Sequence, residues 1–168
     1  NKDSSRKTAT LLNGLFADYT YDGLGRLKNL NYKRDGSTVN SFTYTYNSKG
    51  NRTALADNEG NTAYQYDTLN RLTRADYPDG TWETFDYDAV GNRTAHSSQD
   101  GTTTYVYNAG DQLTSSVGED SATYTYDNAG NQIQKIDANG VTTNTFDRRG
   151  QLVRVDLPDG TNNQYSYY

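Results

Sequence analysis

The stretch AYQYDTLNRLTRADYPDG, residues 63–80, holds two alternating runs and two reversal signals. Tyr64 and Tyr66 stand two apart, which puts both rings on one side of a strand, because successive side chains point to opposite faces. Asp67 follows, and its carboxylate can accept a hydrogen bond from backbone two residues on, turning the chain. Asn70 lies three residues further; asparagine tolerates the left-handed region better than most side chains. A second run then begins, with Thr73, Ala75 and Tyr77 expected on one face and Leu72, Arg74 and Asp76 on the other. It closes at Pro78-Asp79-Gly80, where the fixed φ of proline presets a turn.

The same unit recurs outward in both directions. Its turn motif is an aromatic residue, Asp or Asn, two variable residues, usually glycine, then a polar residue. The copies start at Tyr21, Tyr46, Tyr66, Tyr87, Tyr107, Tyr126 and Phe146, at spacings of 25, 20, 21, 20, 19 and 20 residues. The motif positions are Tyr21, Asp22 and Gly25; Tyr46, Asn47 and Gly50; Tyr66, Asp67 and Asn70; Tyr87, Asp88 and Gly91; Tyr107 and Asn108; Tyr126, Asp127 and Gly130; and Phe146, Asp147 and Gly150. A second turn separates successive copies, ending on Gly36, Gly60, Gly80, Gly101, Gly140 or Gly160, with the departure VGED around Gly118. Copies with Leu27, Leu72, Leu113 and Leu152 alternate with copies bearing Asn51-Arg52, Asn92-Arg93 and Asn131-Gln132, so the period is doubled.

This pattern predicts an all-β fold. Tandem units of about 20 residues would form antiparallel β-hairpins in one sheet too wide to stay flat. A parallel β-solenoid with one coil per unit fits the same spacing. Residues 1–15 read as a lead-in or edge segment and residues 16–168 as a single array of about seven repeats. Leu, Ile, Val and Phe are only 25 of 168 residues, a level associated with disorder. Sixteen tyrosines and the regular turns argue for folding instead, with the rings as the core.

The repeat residues resemble the YD repeats of the rearrangement hot-spot (Rhs) family, shared with teneurins and with the B and C components of insecticidal Tc toxins. The resemblance runs from about Phe16 to Tyr168. It implies hairpins in a spiralling sheet, and long arrays that close into a shell around a C-terminal toxin or, in teneurins, support adhesion. No Asp-Pro dipeptide occurs here, so the family's self-cleavage motif does not carry over. Seven repeats are few for enclosing a protein.

Nothing in the sequence points to catalysis. His96, the one histidine, lies in a polar loop and there is no cysteine. The recurrent aspartates read as turn formers, not paired acid–base groups. Neither phosphate-binding nor calcium-binding repeats occur, so no cofactor or metal is expected. A net charge of -5 disfavours nucleic acid. No apolar run is long enough to span a membrane. Arg26, Arg52, Arg71 and Arg93, just past the motif, are expected to stack over rings or pair with turn aspartates. The expected role is a non-enzymatic scaffold of a secreted or cell-surface protein, with further repeats and an encapsulated toxin as partners. One alternative is an extracellular fibre joined end to end through edge strands, since the chain starts at Asn1, as a fragment or processed piece would, and both end strands look open. Another is a glycan-binding module, with Trp82 the ligand contact.

Overall fold

The computed structural model describes residues 6–11 and 14–167. The chain divides into two compact units, residues 1–84 and 85–168. The first holds β1 (Thr8–Thr10), β2 (Phe16–Tyr21), β3 (Leu27–Arg34), β4 (Ser37–Tyr46), β5 (Arg52–Ala56), β6 (Asn61–Tyr66), β7 (Leu72–Asp76) and the start of β8 (Trp82–Tyr87). The second holds the rest of β8, then β9 (Arg93–Ser98), β10 (Gly101–Tyr107), β11 (Leu113–Val117), β12 (Ala122–Tyr126), β13 (Gln132–Asp137), β14 (Gly140–Phe146), β15 (Leu152–Asp156) and β16 (Asn162–Gln164). Strand order is chain order, and the pairings are antiparallel. The solenoid is thereby excluded. The repeat hairpins supply β2 to β15; β1 and β16 are additional, and β1 lies inside the expected lead-in.

Motif turns share one construction. In the first, the Asp22 N–H donates to the Arg26 carbonyl (2.9 Å) and the Gly25 N–H to the Asp22 carbonyl (3.0 Å). This is a three-residue hairpin loop ending in a left-handed residue. Just beyond it the ladder slips. Gln65 pairs with Arg74 but Tyr66 pairs with Leu72, so Thr73 is an extra residue. Equivalent bulges follow Tyr21, Tyr46, Tyr107, Tyr126 and Phe146. The bulge corrects the simple alternation expected for residues 72–77. Leu72 stands opposite Tyr66 and Ala75 opposite Tyr64, so both lie on the ring side, while Arg74 and Asp76 lie on the other.

The two faces differ sharply. One carries the rings, including Tyr44, Tyr64, Phe85, Tyr105 and Tyr124. The other is mostly Thr, Ser, Asn and Gln; Thr20, Asn29 and Thr43 form a hydrogen-bonded rung across it. Contrary to expectation, the rings are not a sealed core. Among the described residues no large side chain is fully buried. The buried positions are small: Ala17, Ala75, Ala122, Thr62 and Ser116. Ala75 is opposite Tyr64, and Ala17 opposite Tyr32. Half-covering one ring removes about 100 Å² from water, about 2.5 kcal/mol, so stability accumulates ring by ring rather than in one centre.

Candidate functional site

Each motif Asp or Asn performs the turn role expected of it. The Asp67 Oδ1 accepts from the Leu69 N–H (2.9 Å) and the Arg71 N–H (2.9 Å). Asp22, Asn47, Asp88, Asn108, Asp127 and Asp147 do likewise two and four residues on. Backbone donation by Arg71 and Arg26 holds the Asp67 and Asp22 carboxyls below the usual carboxylate range. At Asp127 the Asn131 side chain has the same effect. The left-handed residue is Asn70 (φ 65°) in the third turn and Asp111 (φ 58°) in the fifth. Asp111 was not picked out from sequence, because a glycine sits beside it at Gly110. Counting four residues from Tyr107 identifies it.

Adjacent turns are tied together. The Asn51 Nδ2 donates to Asn70 Oδ1 (3.0 Å), and the Asn92 Nδ2 to Asp111 Oδ1 (3.0 Å). Glycine is thus replaced where the preceding turn offers an amide. The third amide, Asn131, faces Gly150 instead, and a Cβ there would meet only Asn131 Oδ1, at 3.9 Å. Gly150→Asn is therefore expected to stay within about 1 kcal/mol of the parent, the new bond offsetting the left-handed cost, whereas Gly150→Val loses about 2 kcal/mol. Urea denaturation of both variants checks this.

The motif tyrosines have a second task that sequence does not announce. Tyr46, Tyr66, Tyr107 and Tyr126 donate their hydroxyls to the carbonyls of Leu27, Arg52, Arg93 and Leu113, at 2.7 to 3.0 Å. Leu27, Arg52 and Leu113 each open the bulge of the preceding hairpin, where ladder bonding is interrupted. Tyr21 and Tyr167 donate in the same way to Arg6 and Leu152. Phe146 has no hydroxyl, and there the Asn144 Nδ2 donates to the Gln132 carbonyl (2.9 Å).

The arginines sort by position. Arg26 and Arg71 reach back to the turn carboxylates of Asp22 and Asp67 (2.6 Å each). Arg52 lies between the rings of Tyr44 and Tyr64, at 5.7 and 5.0 Å from their centroids. Arg93 lies between Phe85 and Tyr105, at 5.9 and 4.8 Å. His96 stacks on Phe85 with centroids 5.1 Å apart. Trp82 is half-buried on the polar face, opposite Asp76, with the Arg74 guanidinium 5.3 Å from its ring. Arg74 is itself bound to Asp76. No group of His, Asp and Glu suited to a metal ion occurs among the described residues, and no helix there is long and apolar enough to cross a membrane.

Acid and alkali are expected to loosen these contacts in separate ranges. Asp22, Asp67, Asp76, Asp127 and Asp156 titrate lower folded than unfolded, so their stabilisation is present above about pH 4 and lost as pH falls further. Tyr77 donates to Glu83 Oε2 (2.7 Å), and that bond pushes its hydroxyl up to about 12. Its stabilisation is present below about pH 10 and disappears as pH rises toward 12. Denaturation midpoints measured from pH 2 to 12, about the span of these titrations, should fall at both ends. A midpoint that stays flat below pH 4, roughly the ordinary carboxylate range, would exclude the turn carboxylates as contributors.

Comparison with known proteins closes the assignment. The sequence profile of the teneurin YD-shell matches residues 4–168. The chain belongs to that family. The YD-shell fold recurs in the crystal structure of TcdB2-TccC3-TEV, with a TM-score of 0.71 at 18% identity over 91% of this chain and 12% of that one. TcdB2-TccC3 gives a TM-score of 0.70 at 14% identity over 96% of this chain and 10% of that one. In sequence, the tRNA nuclease WapA of Bacillus subtilis (strain 168) is 28% identical over 92% of this chain. The tRNA3(Ser)-specific nuclease WapA of Bacillus spizizenii matches to the same extent. This YD-shell chain spans 6% of the length of either relative.

Proposed function

We propose that the chain is a stretch of non-catalytic YD-shell wall in a secreted or cell-surface protein, and that the wall encloses a polypeptide toxin. The observation that carries this is the commitment of the recurrent polar groups. Each motif Asp or Asn caps a turn, and the hydroxyls of Tyr46, Tyr66, Tyr107 and Tyr126 bridge to the preceding hairpin. Such groups hold one hairpin to the next, a structural use that supports a non-catalytic reading. The Tc-toxin fold match and the match to the tRNA nuclease WapA support the same context. In this reading nuclease activity belongs to other parts of such proteins.

Two measurements test it. The purified chain incubated with tRNA should leave it intact; cleavage that co-purifies with the chain would end the non-catalytic reading. In the native polypeptide that carries this wall, a toxin segment should resist trypsin until the wall is destabilised. Equal digestion before and after would remove the enclosing role.

A further inference from the structure

The doubled period has a structural meaning. Between ring-bearing strands lies a slot filled from the intervening strand. In β3, β7, β11 and β15 the residue there is Leu27, Leu72, Leu113 or Leu152; in β5, β9 and β13 it is Arg52, Arg93 or Gln132. Arg52 and Arg93 differ from Arg74 and Arg154, the arginines of β7 and β15. Arg74 and Arg154 are each paired with an aspartate. Arg52 and Arg93 are exposed, and among the described residues neither has a carboxylate partner. Arg93 gives one N–H to the Tyr105 hydroxyl (3.2 Å). With rings on either side, the guanidinium edge is the part left for bonding, and that fork matches a carboxylate.

We propose that the ring face of each unit binds an acidic polypeptide, with a side-chain carboxylate on Arg52 in the first unit or on Arg93 in the second, and apolar side chains over that unit's leucine slots. This rests on the shell reading and names the chemistry of what the wall holds. In each unit a cationic slot stands beside apolar ones, Arg52 between Leu27 and Leu72 in the first and Arg93 beside Leu113 in the second. This calls for a partner that combines anionic and apolar groups, as a polypeptide does and a uniform polyanion does not. The chain's net charge of -5 repels polyanions at long range, but salt confines that repulsion to about 8 Å, leaving local contacts to decide.

Labelled poly-L-glutamate and a glutamate–tyrosine copolymer, titrated by anisotropy at low salt, test this. Both should bind, the copolymer more tightly. The Arg52→Gln/Arg93→Gln variant should lose about tenfold in affinity with an unchanged circular dichroism spectrum. Arg148→Gln/Arg149→Gln removes the same charge at an exposed turn and should stay within about twofold. Gln132→Arg, which fills the third polar slot with a cation, should tighten binding. Equal loss in both double variants, or tighter binding of heparin than of the copolymer, would overturn the proposal. So would no binding by the parent chain, and that result leaves the shell reading to its own trypsin test.

Discussion

Replacing Gly118 with alanine is expected to destabilise the second unit by about 4 kcal/mol, the largest effect of any single methyl group in this chain. Two costs add. The residue sits at φ 150°, outside the region that side chains accept readily. A Cβ there would also fall 2.5 Å from Thr103 Oγ1, 2.6 Å from Thr103 Cα and 2.7 Å from the Thr102 carbonyl. Two of those atoms are backbone in β10, so relief requires moving a strand and not merely a rotamer. The site is also the repeat's irregular turn, VGED, where Ser116 Oγ donates to the Asp120 carbonyl (2.7 Å) and accepts from the Ala122 N–H (3.1 Å). Gly160→Ala is the control. That glycine has φ 85° and open space around it, so only the conformational cost applies, about 1 kcal/mol. Equal denaturation midpoints for the two variants would show that the crowding at Gly118 has no energetic weight.

Asn144→Ala is expected to cost about 2 kcal/mol, and adding Phe146→Tyr should restore most of it. Asn144 occupies the place that Tyr44, Tyr64, Tyr105 and Tyr124 hold in other copies. Its amide serves the Gln132 carbonyl because Phe146 has no hydroxyl to do so. Truncation leaves that carbonyl without its side-chain donor, and a tyrosine at 146 supplies the bond that Tyr126 makes to Leu113. The double variant therefore separates lost hydrogen bonding from lost packing. If Phe146→Tyr brings no recovery in the Asn144→Ala background, the hydroxyl bridges are incidental to the fold.

Strands and turns were legible in the sequence because they depend on neighbours in the chain. Tyr64 and Tyr66 share a face by the geometry of any strand, and Asp67 turns the chain through its own carboxylate. The pairing direction was not legible, since the in-strand period is two for parallel and antiparallel sheets alike. The bulge at Thr73 escaped because one extra residue leaves no compositional trace. It moved Leu72 to the ring side and so separated it from Arg74. The arginines were read as stacked or paired; both occur, and a one-residue difference in position sends Arg71 to Asp67 but Arg52 between two rings. The hydroxyl bridges depend on which carbonyl a neighbouring hairpin leaves open, which no local pattern states. Trp82 stood out by rarity alone; the structure places it under Arg74, away from the other rings.

Within each unit, a strand is bonded only to the strands before and after it in the chain. Tension on one end therefore loads a single ladder at a time, and the sheet peels from its edge. The force that starts peeling does not grow with the number of hairpins behind it, since each copy leans only on its neighbours. A wall built this way gains area with every added copy and gains no toughness.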